Sequence, residues 1–238
     1  MKKLTQFLFL LFTVAALSSC FNNCIDGSGK VISEKRTVKQ FTGIEFNGSG
    51  TLYITKSQSC SVDINADDNI LSYIETSVSG DKLIIFEHKC FKSFGQFEYH
   101  IGINQLGSIT LSGSGTISGK DTFRTEEAKI IIDGSGTVDL VLIADEISTD
   151  LSGSGVIKLA GKAQNQRIDI SGSGEVSSFG LITSETDINL SGSGKCQVFA
   201  TDKLSASLTG SGDIEYKGSP KKRNTKAKGS GTIKEITD

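Results

Sequence analysis

Leu111-Ser112-Gly113-Ser114-Gly115 opens a run of Gly-Ser-Gly triplets that reaches Gly229-Ser230-Gly231. The central serines are Ser114, Ser135, Ser154, Ser173, Ser193, Ser211 and Ser230, at steps of 21, 19, 19, 20, 18 and 19 residues. A fixed period near 20 marks a repeat architecture and outranks any single residue. Three before each serine stand Leu111, Ile132, Leu151, Ile170, Leu190, Leu208 and Ala227. Three after stand Ile117, Val138, Ile157, Val176, Cys196, Ile214 and Ile233. The positions between are mostly polar. This alternation predicts half-buried strand on both sides of every triplet, with no helical period.

A strand that returns every 19–20 residues with the same face apolar is best buried by stacking. Each repeat makes one coil, pairs in parallel with the coil before it, and sits about 4.8 Å from it. The expected fold is all-β, a β-solenoid with a spine of Leu, Ile and Val. If alternation runs through the triplet, both glycines point inward and the serine outward. That leaves two geometries open, a pinched straight strand or a corner. Two further triplets, around Ser28 and Ser49, lie 21 residues apart upstream.

The chain of 238 residues is long enough for a sizeable core, and its formal net charge of −2 argues against a nucleic-acid partner. Glycine at 27 and proline at 1 suit a turn-rich β chain, and only His88 and His100 are available for imidazole chemistry.

Residues 1–19 read as a signal peptide: Lys2 and Lys3, an apolar run from Phe7 to Ala16, then Leu17-Ser18-Ser19 before Cys20. The apolar run is too short to span a bilayer. Leu-Ser-Ser-Cys resembles a bacterial lipobox, which implies cleavage before Cys20 and acylation of Cys20. An ordinary signal peptide cleaved nearby is the plain alternative. No acidic tract follows Cys20, which favours a periplasm-facing anchor over surface export. Residues 20–30 then form a tether, and 31–238 a single β-helix domain.

Within that domain, residues 31–108 read as head coils and 109–238 as Gly-Ser-Gly repeat coils. Head strands are expected at Thr51–Ile54, Ser61–Ile64, Lys82–Phe86 and Glu98–Ile101, with a turn at Gly80-Asp81 and a short helical turn within 67–76. The 65 residues from Ser49 to Ser114 match about three looser coils. Export permits disulfides; Cys60 and Cys90, both in the head, are the candidate pair, though spacing alone does not fix connectivity. Cys196 falls on an inward ladder position and reads as a small buried hydrophobe.

Three stretches carry a family resemblance. They are Arg36-Thr37-Val38-Lys39-Gln40-Phe41-Thr42-Gly43-Ile44, Gly102-Ile103-Asn104 and Leu111-Ser112-Gly113-Ser114-Gly115. Together they make residues 31–236 similar to the head-GIN-domain proteins, described as auto-transporter adhesins. The resemblance implies a right-handed parallel β-helix in an exported bacterial protein, and little about mechanism.

The search for chemistry yields binding surfaces rather than a catalytic set. Asp150, Asp169 and Asn189 share an outward column four before each serine, flanked by Lys129 and Ser207; it reads as a solvated face, with a Ca²⁺ site as the alternative. Glu175, Lys195 and Asp213 alternate in sign in successive layers, which relieves like-charge stacking. The segment Lys89–Phe97 carries Phe91, Phe94 and Phe97, a candidate ligand-contact loop unless the rings plug the open end of the core. Lys217, Lys221, Lys222, Arg223, Lys226 and Lys228 with Pro220 read as edge protection, the alternative being contact with an anionic polymer or headgroup.

The expectation is therefore a lipid-anchored protein of the bacterial envelope, on the periplasmic face of the outer membrane or on the cell surface. It is expected to be non-enzymatic and free of cofactors, acting as an adhesin, binding module or stalk. Its expected partners are the membrane and an envelope polysaccharide or host or matrix surface. The rivals are a carbohydrate-active β-helix enzyme and an ordered-hydroxyl surface binder.

Overall fold

The computed structural model describes residues 24–92 and 94–237. No α-helix occurs among them; they form a β-solenoid of about 7 turns. Strand β1 (Ile25–Asp26) pairs in parallel only with β8 (Phe91–Lys92), as a small separate ribbon. The other strands make one sheet.

The head mixes two kinds of pairing. Strands β3 (Gly43–Gly48) and β4 (Thr51–Lys56) form the first coil, with the Gly48-Ser49-Gly50 triplet between them. Strands β7 (Lys82–Glu87) and β9 (Glu98–Ile103) pair with β3 and β4 in parallel. By contrast β2 (Val31–Arg36), β5 (Ser61–Asp67) and β6 (Ile74–Ser79) run antiparallel to their neighbours. The head is thus a first coil, one parallel layer of β7 and β9 stacked on it, and antiparallel strands outside that layer, rather than three further coils. Alternation could not show this, because its period is the same in parallel and antiparallel strands. The expected turn at Gly80-Asp81 closes the β6–β7 hairpin, and the expected helical turn is a 3-10 turn over Leu71–Tyr73.

The repeat region stacks as its periodicity predicts. After β10 (Ser108–Gly113) come β11 (Thr116–Gly134), β12 (Thr137–Gly153), β13 (Val156–Gly172), β14 (Glu175–Gly192) and β15 (Lys195–Gly210). Each of these is nearly a whole coil. Strands β16 (Asp213–Lys217), β17 (Lys222–Gly229) and β18 (Thr232–Glu235) complete the far end, and all ladder pairings are parallel. Equivalent residues are in register: Ile132 lies on Leu151, Leu151 on Ile170, and Ile170 on Leu190. Uneven repeat lengths are absorbed by bulges at Gly119/Thr122, Lys158/Ala160, Ser178/Ile182 and Thr183/Glu185, all in the stretch that follows the triplet. The triplet and the eight residues before it stay unbroken in β12, β13 and β14.

The triplet is a corner. Gly153 has φ +111, and a Cβ there would meet the Gly134 carbonyl oxygen of the previous coil at 2.5 Å. Only glycine tolerates both the left-handed backbone and the close approach. Alternation therefore breaks here: the first glycine lies near the surface, the serine is exposed, and the second glycine is buried. Through the corner the hydrogen bonds all run one way. Ser154 N–H donates to Gly134 O at 2.9 Å and Val156 N–H to Gly136 O at 2.9 Å, and later coils repeat the pattern. The stack begins at Ser49, since Gly115 N–H donates to Gly48 O and Thr116 N–H to Gly50 O. The Ser28 triplet is outside it; Ser28 Oγ donates to Asp68 at 2.7 Å instead.

The spine is mainly aliphatic, interrupted by Thr149 between Ile130 and Ile168 and by a polar pair one column away. Gln166 and Thr186 occupy the inward column that Ile147 and Leu204 occupy on either side. Gln166 Nε2 donates to Ser178 Oγ at 3.3 Å, and the Thr183 and Thr186 hydroxyls lie 2.6 Å apart.

Candidate binding face

The eight residues before each triplet form an unbroken face in β12, β13 and β14. The strand period puts positions two, four and six before the serine outward, one above another. Four before, the column reads Ile131, Asp150, Asp169, Asn189, Ser207 and Lys226. Two before, it reads Asp133, Ser152, Ser171, Ser191, Thr209 and Lys228. The layer above Asp150 is therefore Ile131 rather than Lys129. Lys129 stands one outward position away and reaches across, its Nζ 3.9 Å from Asp150. Together these columns line a shallow open groove of about 520 Å³.

One groove carboxylate, Asp169, is held by hydrogen bonds on both oxygens. Asp169 accepts from Arg167 Nε at 2.9 Å on one oxygen and from Asn189 Nδ2 at 2.9 Å on the other. A cation would have to displace both donors, and among the described residues no three His, Cys, Asp or Glu converge. The arrangement suits a ligand that exchanges hydrogen bonds with hydroxyls, an amide and carboxylates. The expected Glu175, Lys195, Asp213 column exists. Lys195, however, pairs with Glu215 at 3.1 Å, and Lys234 reaches the same carboxylate at 3.0 Å. The Gln197 amide, followed by Lys234 and Lys195, brings the pKa of Glu215 down to about 2.

The expected aromatic loop splits in role. Phe97 is buried and sits edge-on to Phe91 at 5.3 Å and to Phe94 at 5.4 Å, so it plugs the end of the core. Phe91 is half-buried on that cluster, while Phe94 stays 41% exposed. The expected Cys60–Cys90 bridge is corrected: Cys90 is joined to Cys24. Pairing of Ile25 with Phe91 brings Cys24 against Cys90, whereas Cys60 sits beside Gln40, 3.2 Å from its Oε1. Cys60 remains a thiol, as does Cys196, whose burial pushes its pKa up. Cys20 lies outside the described residues. His88 and His100 are within 2.9 Å of Glu75 and 3.1 Å of Glu98 at the surface.

One site carried no sequence signal. Glu87, at the end of β7, accepts from Ser49 N–H at 2.9 Å, Ser49 Oγ at 3.0 Å, Gly50 N–H at 3.3 Å and Tyr99 Oη at 2.9 Å. It supplies to the first corner the acceptors that every later corner takes from the coil before it. Burial raises the pKa of Glu87 despite these donors, and raises that of Tyr99 beside it.

A family model for the putative auto-transporter adhesin, head GIN domain, matches residues 40–220. The chain belongs to this family. Among solved structures, a putative adhesin from Bacteroides fragilis NCTC 9343 is 28% identical, with TM-score 0.84 over 89% of this chain and 100% of its own. A putative adhesin from Parabacteroides distasonis ATCC 8503 is 25% identical, with TM-score 0.71 over 90% of this chain and 100% of its own. A putative lipid binding protein from the same organism, 24% identical with TM-score 0.72 over 90% and 99%, shares the fold. No curated protein matches the sequence. In this head-GIN chain Gly102 and Ile103 end β9, with Ile103 in the core and Asn104 exposed in the turn to β10.

Proposed function

We propose that this head-GIN protein is a lipid-anchored, non-enzymatic binding protein of the bacterial envelope, and that the serine-lined groove is its contact face. One observation carries the reading. A hydroxyl recurs once per coil at Ser152, Ser171, Ser191 and Thr209, about 4.8 Å apart, beside a column of Asp150, Asp169, Asn189 and Ser207 in an open groove. Such a row complements an extended polymer with regularly spaced hydroxyls, so the favoured ligand class is a polysaccharide. A compact substrate would need enclosure, and coils of 18 to 21 residues spare little chain to build it. The adhesin family supports a role in contact, and the lipobox before Cys20 supports attachment.

The test is a glycan and matrix-protein array probed with the mature chain and with a groove variant, Ser171→Val/Asn189→Leu/Ser191→Val. These three side chains point outward, so the variant keeps its core. Polysaccharide binding that the variant loses at unchanged melting temperature supports the reading. Silence of the mature chain across sugars and matrix proteins removes the adhesive role and leaves a stalk. Turnover of an acidic polysaccharide overturns the non-enzymatic reading in favour of the carbohydrate-active rival.

A further inference from the structure

We infer that the head end of the solenoid docks against the lipid bilayer, with Phe94 and Val31 at the interface and the repeat coils pointing away. The inference rests on the reading of Cys20 as an acylated residue. Only Phe21, Asn22 and Asn23 separate Cys20 from Cys24. Four residue steps reach at most about 14 Å when fully extended. Cys24 is covalently fixed to Cys90 in the head. An acyl chain on Cys20 therefore holds the head within that distance of the membrane surface, and what the head presents there decides how the rest of the molecule stands.

The surface at this point is apolar in the right place. Ribbon β1–β8 begins at the disulfide and leads directly to Phe94. Gly27, just after β1, packs so closely that a Cβ on it would meet Phe94 Cα at 2.9 Å. A Cβ on Gly95 would meet Val31 Cγ2 at 3.0 Å. Gly27, Phe94, Gly95 and Val31 are thus close neighbours, and among them Phe94 is 41% and Val31 39% exposed. Phe94 is also the outermost ring of a series that leads inward through Phe97 and Tyr99 to Phe46 of the first coil. Val31 beside it opens β2, the strand at the outer end of the path β11–β4–β9–β5–β2 that leads away from the ladder.

Charge around the patch is nearly balanced. Lys92 pairs with Asp26 at 3.6 Å and Lys30 with Asp68 at 3.3 Å, while Lys89 is exposed. Attraction to anionic lipid is therefore not the main force. Two partly exposed apolar side chains would bind a free protein to lipid only weakly, but a tether this short makes the contact intramolecular. The patch then has only to orient a protein that is already anchored. The far corner at Ser230 stands seven layers beyond Ser49, roughly 34 Å away, and the groove runs along the membrane normal.

The chain has no Trp, so single-tryptophan reporters are unambiguous. Phe94→Trp and Val31→Trp test the patch, and Thr209→Trp in the groove is the distal control. Each is purified as the full acylated protein in phosphatidylethanolamine/phosphatidylglycerol vesicles with brominated acyl chains. Mass spectrometry of the N-terminal peptide reads acylation of Cys20. Strong quenching and a blue shift at positions 94 and 31, with none at 209, support the inference. Acylated protein with 94 and 31 as unquenched as 209 overturns docking and leaves the anchor intact. Quenching at all three positions overturns the upright orientation. An unmodified Cys20 overturns the anchored reading and the docking with it.

Discussion

The two ends of the stack meet the same problem with opposite chemistry. At every corner between them, N–H groups of the later coil donate to carbonyls of the earlier one. The head corner is therefore left with spare donors, and the far corner with spare carbonyls. At the head, the Glu87 carboxylate takes the donors of Ser49 and Gly50. Hairpins and aromatic rings cover the core there, and a disulfide closes the edge. At the far end β17 is exposed along its whole length and carries Lys222, Lys226 and Lys228. In a stacked array each coil is stabilised mainly by its two neighbours. The head has side chains and hairpins in the place of a further coil, while at the far end β17 is an exposed, strongly basic edge.

The sharpest way to break this contrast is to cut the covalent tie. The Cys24–Cys90 bridge spans 66 residues. In the chain-entropy account a loop of that length stabilises by about 4 kcal/mol. Cys24→Ser is expected to lower the urea midpoint accordingly, and tryptic mapping of the parent should show Cys24 linked to Cys90 with Cys60 free to alkylate. A midpoint that does not move would mean the head holds its shape by packing alone.

Corner glycines should differ next most, by position rather than chemistry. Gly153→Ala forces a Cβ onto the Gly134 carbonyl in mid-stack, and φ +111 adds backbone strain. About 3 kcal/mol is expected, read from the global unfolding midpoint. Gly229→Ala meets a carbonyl that is closer still, that of Gly210, but in the last described coil. Its effect should stay local: faster amide exchange in β17 with a nearly unchanged midpoint. Equal midpoint losses at both sites would show that the far coil is as tightly coupled as the middle.

The same contrast explains what was legible beforehand. The ladder was readable because every coil repeats one solution, so Leu151, Ile170 and Leu190 report the same environment three times. The groove followed from that register, and with it the column of Asp150, Asp169 and Asn189. The head was not readable to that depth. Antiparallel β5 and β6 alternate with the same period as parallel strands, and Cys24 meets Cys90 only because a two-residue ribbon aligns them. Glu87 looked like any acid at the end of a strand, since its role depends on a corner 38 residues earlier. Inside the ladder, Gln166 and Thr186 gave no warning either, because polar residues at inward positions are legible only through their partners.

Removing Glu87 should expose the head-end problem directly. Glu87→Ala leaves two N–H groups and the Ser49 and Tyr99 hydroxyls without their shared acceptor, an expected loss of about 2 kcal/mol. Glu87→Gln retains one acceptor oxygen and should lose less. The pH dependence separates charge from shape. Because the folded pKa of Glu87 is raised, the folded state binds the proton more tightly than the unfolded one. This contribution to stability is complete below the ordinary Glu value of 4.5 and is lost as pH rises through the raised value. Glu87→Gln should flatten that slope in urea titrations over the weakly acidic range, while a control at the far end, Glu235→Gln, should leave it in place.

The smallest effect on stability is expected at the far end, and it tests why the two ends differ. Lys222→Ser/Lys226→Ser/Lys228→Ser changes exposed side chains on an edge strand, so monomer stability should move by no more than about 0.5 kcal/mol. Association should change instead. An edge strand with its charges removed is a template for pairing with another chain, and sedimentation should show concentration-dependent oligomers that the parent lacks. The reverse experiment, charge removal at the head through Lys89→Ser, should produce no such species, because hairpins already occupy that edge. If the triple variant stays monomeric, edge protection is not what these lysines do. Their continuation of the two groove columns at Lys226 and Lys228 would then make them the anion-binding end of the contact face, and the array experiment should show acidic glycans losing affinity for the same variant.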